Sequence, residues 1–396
     1  MISNTQTLKV LFNSLEQIKI GSLEIDLPNQ MGKKIFRGSE TGPNAHIAFK
    51  TINAIKNVIQ YGDIGFGKDY INGNWETDCL KTLLLFSCRN DQYLKNNLYS
   101  GQIILTFFYR CLQYLRRNSI RGSLKNIQYH YDNFSNDFYS LWLDHGMNYS
   151  SGMSTLTSSA QSLESLQANK NSAILKYLND PKNILEIGCG WGAFMELAAT
   201  QEINVRGISL SRQQLLYANN RLNQAKLSRY AQGFFCDYRE EKGIYDNVVS
   251  IEMMEHVGIE NWDVYLKKIR DSLSMGGRAV VQTSIIHDEI YDSYIKSSDF
   301  IRTFIFPGGL LPADKKIKEI VNNIGFNIDQ SLLLGNDAAL TMTLWLEKFK
   351  NSKSQVKLLG YNDQFIRMWE FYLSYCLSAY MTGRINVGQY ILTKVA

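Results

Sequence analysis

The sequence predicts an α/β fold built on a doubly wound, mostly parallel sheet, and a glycine turn is the first observation behind this prediction. A short apolar strand at residues 184–187 runs into three glycines, and a helical pattern follows: the glycines are Gly188, Gly190 and Gly192. Glycines at such a junction allow a sharp turn and let a ligand approach the main chain. The free N–H groups of the next helix then lie beside that ligand. A tight packing turn without a ligand is the alternative interpretation.

Alternating strand and helix patterns after this turn are the second observation. The predicted strands cover residues 204–209, 232–236, 245–251, 277–284, 325–333 and 339–347. The predicted helices cover residues 193–200, 211–225, 260–273 and 312–323. This alternation is typical of a parallel sheet with helices on both faces.

The third observation is the short link between the last two predicted strands. Only residues 334–338 separate them, whereas a parallel crossover needs about a dozen residues or more. The link therefore predicts an antiparallel hairpin at one edge. A seven-stranded sheet with one reversed edge strand resembles the Rossmann-like class I S-adenosylmethionine methyltransferases, and a plain dinucleotide dehydrogenase lacks that hairpin.

Composition narrows the class of protein. The 396 residues are long enough for two domains, and the net charge of +5 comes with no dense basic block, so nucleic-acid binding is not predicted. The six cysteines show neither disulfide nor metal-ligand spacing, which favours a reducing, cytoplasmic compartment and no metal site. No signal peptide is apparent, and no apolar run approaches the roughly 20 residues that span a bilayer. Any membrane contact is expected at the surface.

The first part of the chain predicts a small accessory domain. Residues 16–60 contain short alternating segments that predict strands of an α+β module. Four glycines within residues 62–75 predict a compact, turn-rich segment that clamps two elements, with a ligand site as the alternative. A helix is predicted at about residues 79–88.

The segment 101–121 combines apolar residues at helical spacing with a basic end. The basic residues are Arg116, Arg117, Arg121 and Lys125. An amphipathic helix resting on an anionic membrane and an interdomain helix with a solvated basic linker are equally compatible with this pattern. We place the domain boundary here, which gives an accessory domain at 1–120 and a catalytic domain at 121–396. A helix at about 158–178 leads to the glycine turn.

Polar residues recur where successive predicted strands end, which is where ligands bind in open α/β sheets. Ser209 ends the second strand, and its hydroxyl can hydrogen-bond a ribose or an amino-acid tail. Asp237 and Tyr238 follow the third strand and could hold an adenine edge. Glu255 follows the fourth strand, where a carboxylate can act as a base or stabilise positive charge. His256 beside it is more typical of a structural hydrogen-bonding residue.

Several motifs occur in a fixed order along the second part of the chain. They are His-Tyr-Asp at 130–132, Asn-Asp-Phe-Tyr at 136–139, Tyr-Ser at 149–150, Glu-Ile-Gly-Cys-Gly-Trp-Gly at 186–192, Ser-Leu-Ser at 209–211, Glu-His-Val-Gly at 255–258, Phe-Pro-Gly-Gly-Leu-Leu-Pro at 306–312 and Met-Trp-Glu-Phe-Tyr at 368–372. With these motifs, residues 128–396 resemble the cyclopropane-fatty-acyl-phospholipid synthases and the mycolic-acid cyclopropane synthases. The glycines and aromatics of residues 65–75 are similar to the accessory domain of longer bacterial members, which is associated with lipid engagement and dimer formation.

This resemblance implies a reaction and a site. S-adenosylmethionine would donate a methyl group to a cis double bond of an acyl chain, usually in a membrane phospholipid, and a base would then remove a proton from the carbocation. The implied partner is a phospholipid membrane surface, reached from the cytoplasmic side, with a homodimer as a further expectation. The residues implied for cofactor binding are Tyr149, Ser150, Gly188, Gly190, Ser209, Gln214, Asp237 and Tyr238. Glu255 matches the active-site glutamate of the family.

The chain departs from the family at the bicarbonate site. In the cyclopropane synthases a bound bicarbonate is taken to be the proton acceptor, and a Cys, a His and a Tyr accompany it. Ser151, Gln282 and Ala338 occupy those three positions here. The catalytic candidates are therefore Glu255 with Ser151, Gln282 and Tyr149, while the need for bicarbonate stays open.

The product and the proton acceptor stay open as well. The product is a cyclopropane ring or a methylene or methyl branch, and the acceptor is a bound anion, water, Glu255, or a side chain such as His287 or Tyr149. A small-molecule methyltransferase on the same scaffold, and a lipid- or cofactor-binding homologue without turnover, are the alternative functions.

Overall fold

The computed structural model describes residues 3–98, 134–154, 161–178 and 180–395. The chain divides into two compact units. The first contains residues 1–112 together with 296–305 and 349–384, and the second contains 113–295, 306–348 and 385–396. Two segments that the predicted boundaries assign to the catalytic domain thus belong to the first unit. The predicted boundary itself and the basic segment 101–121 lie outside the described residues.

The first unit combines a small sheet with helices. Its strands are β1 (Ile20–Asp26), β2 (Lys33–Arg37), β3 (Glu40–Phe49) and β4 (Trp75–Glu76), in the order β2-β1-β3-β4. Strands β1 and β3 run parallel, and the outer pairs are antiparallel. The helices are Asn4–Leu15, Ile52–Ile71, Leu80–Arg89, Asp91–Leu98, Lys353–Leu358 and Asp363–Met381.

The prediction of a turn-rich segment at 62–75 is wrong, because most of it continues the helix Ile52–Ile71. Only Gly62 leaves helical geometry, with a φ of 57°. Gly67 is instead required by close packing, since a Cβ there would lie 2.3 Å from a ring carbon of Phe300. Glycine in this helix therefore marks a close contact between elements and not a turn.

The second unit is built on a seven-stranded sheet, as predicted. The strands are β5 (Asn183–Ile187), β6 (Asn204–Ser209), β7 (Ala231–Phe235), β8 (Tyr245–Ile251), β9 (Leu273–Ile286), β10 (Phe326–Leu333) and β11 (Ile385–Lys394), in the order β10-β11-β9-β8-β5-β6-β7. The five strands from β9 to β7 pair in parallel, and β11 is antiparallel to both of its neighbours. The reversed strand therefore lies one place in from the edge.

Helices cover both faces of this sheet. They are Asn136–Ser140, Leu163–Tyr177, Ala193–Thr200, Arg212–Gln224, Met254–Val257, Trp262–Asp271, Tyr291–Tyr294, Asp314–Asn323 and Gly335–Asn351. Neighbouring strand residues such as Val248 and Val249 belong to two different apolar clusters, one on each face, because successive side chains of a strand point in opposite directions. Within the described ranges, no helix is both long and apolar enough to cross a bilayer.

The hairpin predicted at residues 325–347 is wrong. Residues 339–347 lie in the helix Gly335–Asn351, and the strand that reverses the sheet is β11. Buried side chains recur along this helix at Ala338, Met342, Trp345 and Phe349, which is a helical spacing. Two threonine hydroxyls of the segment donate to carbonyl oxygens four residues earlier, so these residues are satisfied within a helix.

Candidate active site

The glycine turn after β5 forms one wall of a cavity at the carboxyl edge of the sheet. Gly188, Gly190 and Gly192 have φ values of 79°, 50° and 83°, in the left-handed region that favours glycine. A Cβ on Gly190 would meet nothing within 4 Å, so the backbone is open to a ligand there. Of the eight residues predicted to bind the cofactor, seven line this cavity: Tyr149, Ser150, Gly188, Gly190, Ser209, Gln214 and Tyr238.

Asp237 is the member of the predicted set that does not line the cavity. Its carboxylate accepts hydrogen bonds from the backbone N–H, Nε and Nη2 of Arg239, at 3.0, 2.8 and 2.7 Å. A carboxylate held by a guanidinium in this way is turned toward its own loop. The structure thus brings Tyr238, and not Asp237, to the cavity.

Two polar atoms on the cavity wall are buried and, within the described part of the chain, have no hydrogen-bond partner. They are a carboxyl oxygen of Glu186, Oε2, and the hydroxyl of Tyr238. Burial raises the pKa of Glu186 to about 8 and that of Tyr238 to about 12. Buried polar groups are nearly always paired. An unpaired carboxyl and hydroxyl beside an open glycine turn therefore fit a ligand that carries a cationic group and further polar groups.

Lys170 also lines this cavity and is completely buried. Its Nζ donates to Ser150 Oγ at 2.7 Å and to Asn148 Oδ1 at 3.4 Å. Burial lowers the pKa of Lys170 to about 8, although nearby carboxylates oppose this. Lys170 thus fixes the Ser150 hydroxyl, which sequence reasoning placed in the site without this partner.

Ser209 and Gln214 are joined at the end of β6. Ser209 Oγ donates to Gln214 Oε1 at 3.2 Å and accepts from the Ser211 N–H at 3.1 Å. Ser211 also caps the next helix, because its hydroxyl accepts from the Gln214 N–H. The predicted pair therefore stands at a rigid strand–helix junction.

Glu255 is buried just after β8, as expected from its place in the sequence. Its carboxylate accepts from Thr283 Oγ1 at 2.7 Å and from the Ser284 N–H at 3.2 Å. Burial, followed by the negative charge of Glu252, raises the pKa of Glu255 to about 7. The environment thus makes this carboxyl a much stronger base than a carboxyl in water.

Glu252 is a second carboxylate of this site, and sequence reasoning missed it. It directly follows β8, lines the cavity, and has a φ of 52°, which is unusual for a residue other than glycine. Its Oε1 accepts from the Ser151 N–H at 2.7 Å and from Gln282 Nε2 at 2.9 Å. The strand-end argument that selected Glu255 applies equally to Glu252, so the signal was present in the sequence.

Ser151 and Gln282 therefore meet at Glu252. Gln282 Nε2 also donates to the Ser151 carbonyl oxygen at 3.0 Å, and its Oε1 accepts from Gln389 Nε2 at 2.9 Å. The third position that departs from the family, Ala338, is buried in the helix Gly335–Asn351. Its methyl side chain offers no polar group to an anion.

Aromatic rings pack against Tyr149 and His256, two residues of the cavity wall. The Tyr149 ring lies 5.5 Å from Trp345 and 6.5 Å from Phe306, and His256 stacks edgewise on Phe306 at 4.9 Å. Burial lowers the pKa of His256 to about 4, so the imidazole is neutral at pH 7. His287 lies outside this cavity lining, in a short turn after β9.

The fold and this cavity together define a class I, Rossmann-like methyltransferase. The family model described as mycolic acid cyclopropane synthetase matches residues 118–390. The chain belongs to this family, and the predicted membership is confirmed. It is an enzyme with C-methyltransferase chemistry, and its cofactor is S-adenosylmethionine, both as predicted.

Individual relatives agree with this assignment. The chain is 30% identical over 344 residues to the tuberculostearic acid methyltransferase of Mycobacterium tuberculosis, covering 85% of this chain and 80% of that protein. It is 29% identical over 362 residues to the cyclopropane-fatty-acyl-phospholipid synthase of Escherichia coli, covering 88% of each. Among solved structures, a mycolic acid cyclopropane synthase complexed with SAH and CTAB aligns with a TM-score of 0.64 and 28% identity, over 68% of this chain and 98% of that one.

Proposed function

We propose that this enzyme transfers a methyl group from S-adenosylmethionine to the cis double bond of unsaturated acyl chains in phospholipids. The reaction passes through a carbocation and yields a cyclopropane ring or a methylene or methyl branch. One observation supports this most strongly: two carboxyl groups follow β8 at the carboxyl edge of the sheet, Glu252 on the cavity wall and Glu255 three residues further along the chain, against Thr283. Carboxyl groups in such a place suit a reaction that develops positive charge on an apolar chain and then releases a proton.

The cofactor would be held by residues of the cavity wall. The unpaired carboxyl of Glu186 matches its ammonium group, and Gly188 and Gly190 allow it to approach the backbone. Ser209 and Tyr238 offer hydroxyls to the nucleoside part. When bound, S-adenosylmethionine supplies an electrophilic methyl group.

The protein must compensate for the weak nucleophilicity of an alkene. Fixing the double bond close to the methyl group converts a bimolecular step into a positioned one. The aromatic ring of Tyr149 and the carboxylate of Glu255 then stabilise the positive charge that develops on the chain. Because Glu255 is enclosed, its charge is screened less than it would be in water.

The substrate is proposed to be reached at a membrane surface, from the cytoplasmic side. The E. coli relative is named for a phospholipid substrate, and the net charge of +5 favours contact with anionic headgroups. The accessory domain, predicted at residues 1–120, is proposed to engage lipid and to form a homodimer.

The decisive test is turnover on defined vesicles. The pure protein is incubated with S-adenosylmethionine and vesicles whose chains are cis-unsaturated, with fully saturated vesicles as the matched control. We expect the unsaturated chains alone to gain the mass of one CH₂ group, and NMR of the product then separates a ring from a branch. Cofactor binding without any gain would reject the proposal and favour a homologue without turnover. Methylation of free small molecules alone would favour the small-molecule alternative.

The pH dependence of turnover tests the role of Glu255. A carboxyl with a pKa of about 7 loses its charge as the pH falls through that value, so kcat is expected to fall on the acid side. Thr283→Val removes the hydroxyl that donates to Glu255 Oε2. Because that hydrogen bond favours the ionised form of Glu255, its loss raises the pKa of Glu255. The midpoint of the pH dependence of kcat should therefore move to higher pH by about one unit.

A matched threonine provides the control for this measurement. Thr343→Val removes a hydroxyl that donates to the backbone oxygen of Ala339. The midpoint of the pH dependence of kcat in this variant should equal that of the wild type. If the midpoint of the pH dependence of kcat is unchanged in Thr283→Val, a group other than Glu255 causes the fall of kcat at acid pH.

A further inference from the structure

We propose that Glu252 is the proton acceptor of this reaction, a carboxylate of the chain itself in the place of a bound anion. The inference rests on the proposed function and names a catalytic residue for it. It is carried by the position of Glu252 on the cavity wall and by the donors that hold its carboxylate.

The carboxylate of Glu252 is held through one of its two oxygens. The Ser151 N–H and Gln282 Nε2 both donate to the same oxygen, Oε1. Within the described residues, no hydrogen bond is made to the other oxygen of Glu252, and the side chain is partly accessible from the cavity. One oxygen is thus anchored while the other is available to take a proton from a molecule in the cavity.

The residues that anchor this carboxylate are themselves held in place. Gln389 donates to Gln282 Oε1, which leaves the Gln282 amide with its Nε2 turned toward Glu252 and the Ser151 carbonyl. The Glu252 N–H donates to the Gln282 carbonyl oxygen, and the backbone of Glu252 is kept at a left-handed φ of 52°. Such strain persists only where the surrounding structure imposes it, and it is frequent at functional sites.

The two donors come from the backbone of Ser151 and from the side-chain amide of Gln282. Ser151 and Gln282 stand where the resemblance places two residues of a bicarbonate site, and here both donate to Glu252. With its donors taken by a carboxylate of the chain, this site has no need of a dissolved anion. Burial raises the pKa of Glu252, against the lowering effect of these two hydrogen bonds and of the Lys170 charge. A raised pKa makes the carboxylate a more effective base.

The proposed step balances with the methyl transfer. The electron pair of the carbon–sulfur bond returns to sulfur as the methyl leaves, and the alkene π pair forms the new carbon–carbon bond. A C–H bond of the resulting carbocation then breaks, and its proton goes to the free oxygen of Glu252. The electron pair of that bond closes a ring or forms a new double bond. No oxidant or reductant is needed.

Two variants and one added anion test the proposal. Glu252→Gln keeps the size of the side chain and removes the base, so we expect kcat to fall by about 10²–10⁴-fold. Binding of S-adenosylhomocysteine (SAH), the cofactor without its methyl group, should be retained. Glu252→Gly suits the left-handed backbone and exposes the donors of Ser151 and Gln282. Added bicarbonate or formate should restore turnover in Glu252→Gly and not in Glu252→Gln. Calorimetry on the SAH complexes should detect bicarbonate binding to Glu252→Gly alone.

The outcomes separate this inference from the proposed function. A wild type that is inactive on every unsaturated lipid rejects the function. An active wild type overturns the inference if Glu252→Gln matches its rate, or if removing bicarbonate from the buffer stops the wild type and adding it back restores turnover. Exposed Glu260 provides the control, since Glu260→Gln makes the same chemical change on the surface and should have no effect.

Discussion

Replacing Glu255 by Gln is expected to lower kcat by about 10²–10³-fold while SAH binding is retained. The substitution keeps the length of the side chain and an acceptor for Thr283 Oγ1, but it removes the negative charge that would stabilise the carbocation. The loss is large because the carboxyl is buried, where electrostatic interactions are weakly screened. Single-turnover kinetics with cis-unsaturated vesicles measures the effect on chemistry, and calorimetry with SAH measures binding.

Folding is not expected to suffer in this variant. The charge of Glu252 already raises the pKa of Glu255, so neutralising Glu255 removes a repulsion between two enclosed carboxylates. The unfolding temperature should therefore stay the same or rise. Turnover similar to that of the wild type would refute the assigned role. A drop in both turnover and unfolding temperature would point to a structural role for Glu255 instead.

Gly188→Ala is expected to produce the second large effect, a loss of both stability and cofactor affinity. The φ of 79° disfavours any side chain, at a cost of about 1–2 kcal/mol. In addition, a Cβ would lie 2.2 Å from Met253 Cγ, so the Met253 side chain must move. Overpacking of this kind typically costs about 1–3 kcal/mol. Because Met253 lines the cavity, its displacement also narrows the space for the cofactor.

Two other glycines separate these contributions. Gly276 has a similar φ of 72°, is exposed, and has nothing within 4 Å of an added Cβ, so Gly276→Ala should show the backbone cost alone. Gly190→Ala adds a methyl group to the open cavity wall and should weaken SAH binding more than it lowers stability. Thermal unfolding with and without SAH measures both quantities. Equal destabilisation by Gly188→Ala and Gly276→Ala would show that the Met253 contact is unimportant.

The strands and helices around the glycine turn could be predicted because each is a local pattern. Apolar runs such as β8 end at turns, and the residues that follow them must lie at one edge of a parallel sheet. The reversed strand could not be found in this way. It pairs β11, near the chain end, with β9 about a hundred residues earlier, and no local pattern encodes that pairing. The alternating apolar residues of 339–347 were mistaken for a strand because short apolar runs do not distinguish a buried helix from a strand.

The sequence by itself determined the class of reaction, since the glycine turn, the strand-end residues and the ordered motifs predict a methyltransferase of this family. It also predicted Glu255 as the active-site carboxylate, and it located the departure from the family at Ser151 and Gln282. Only the tertiary structure showed what these two residues do. They are 131 positions apart in the chain, yet the Ser151 N–H and Gln282 Nε2 both donate to the carboxylate of Glu252. Such a hydrogen-bond arrangement depends on strand register and side-chain direction, which composition and spacing do not specify. The motifs indicate that a methyl group is transferred, and the packing at Glu252 is the basis for the proton acceptor that we propose.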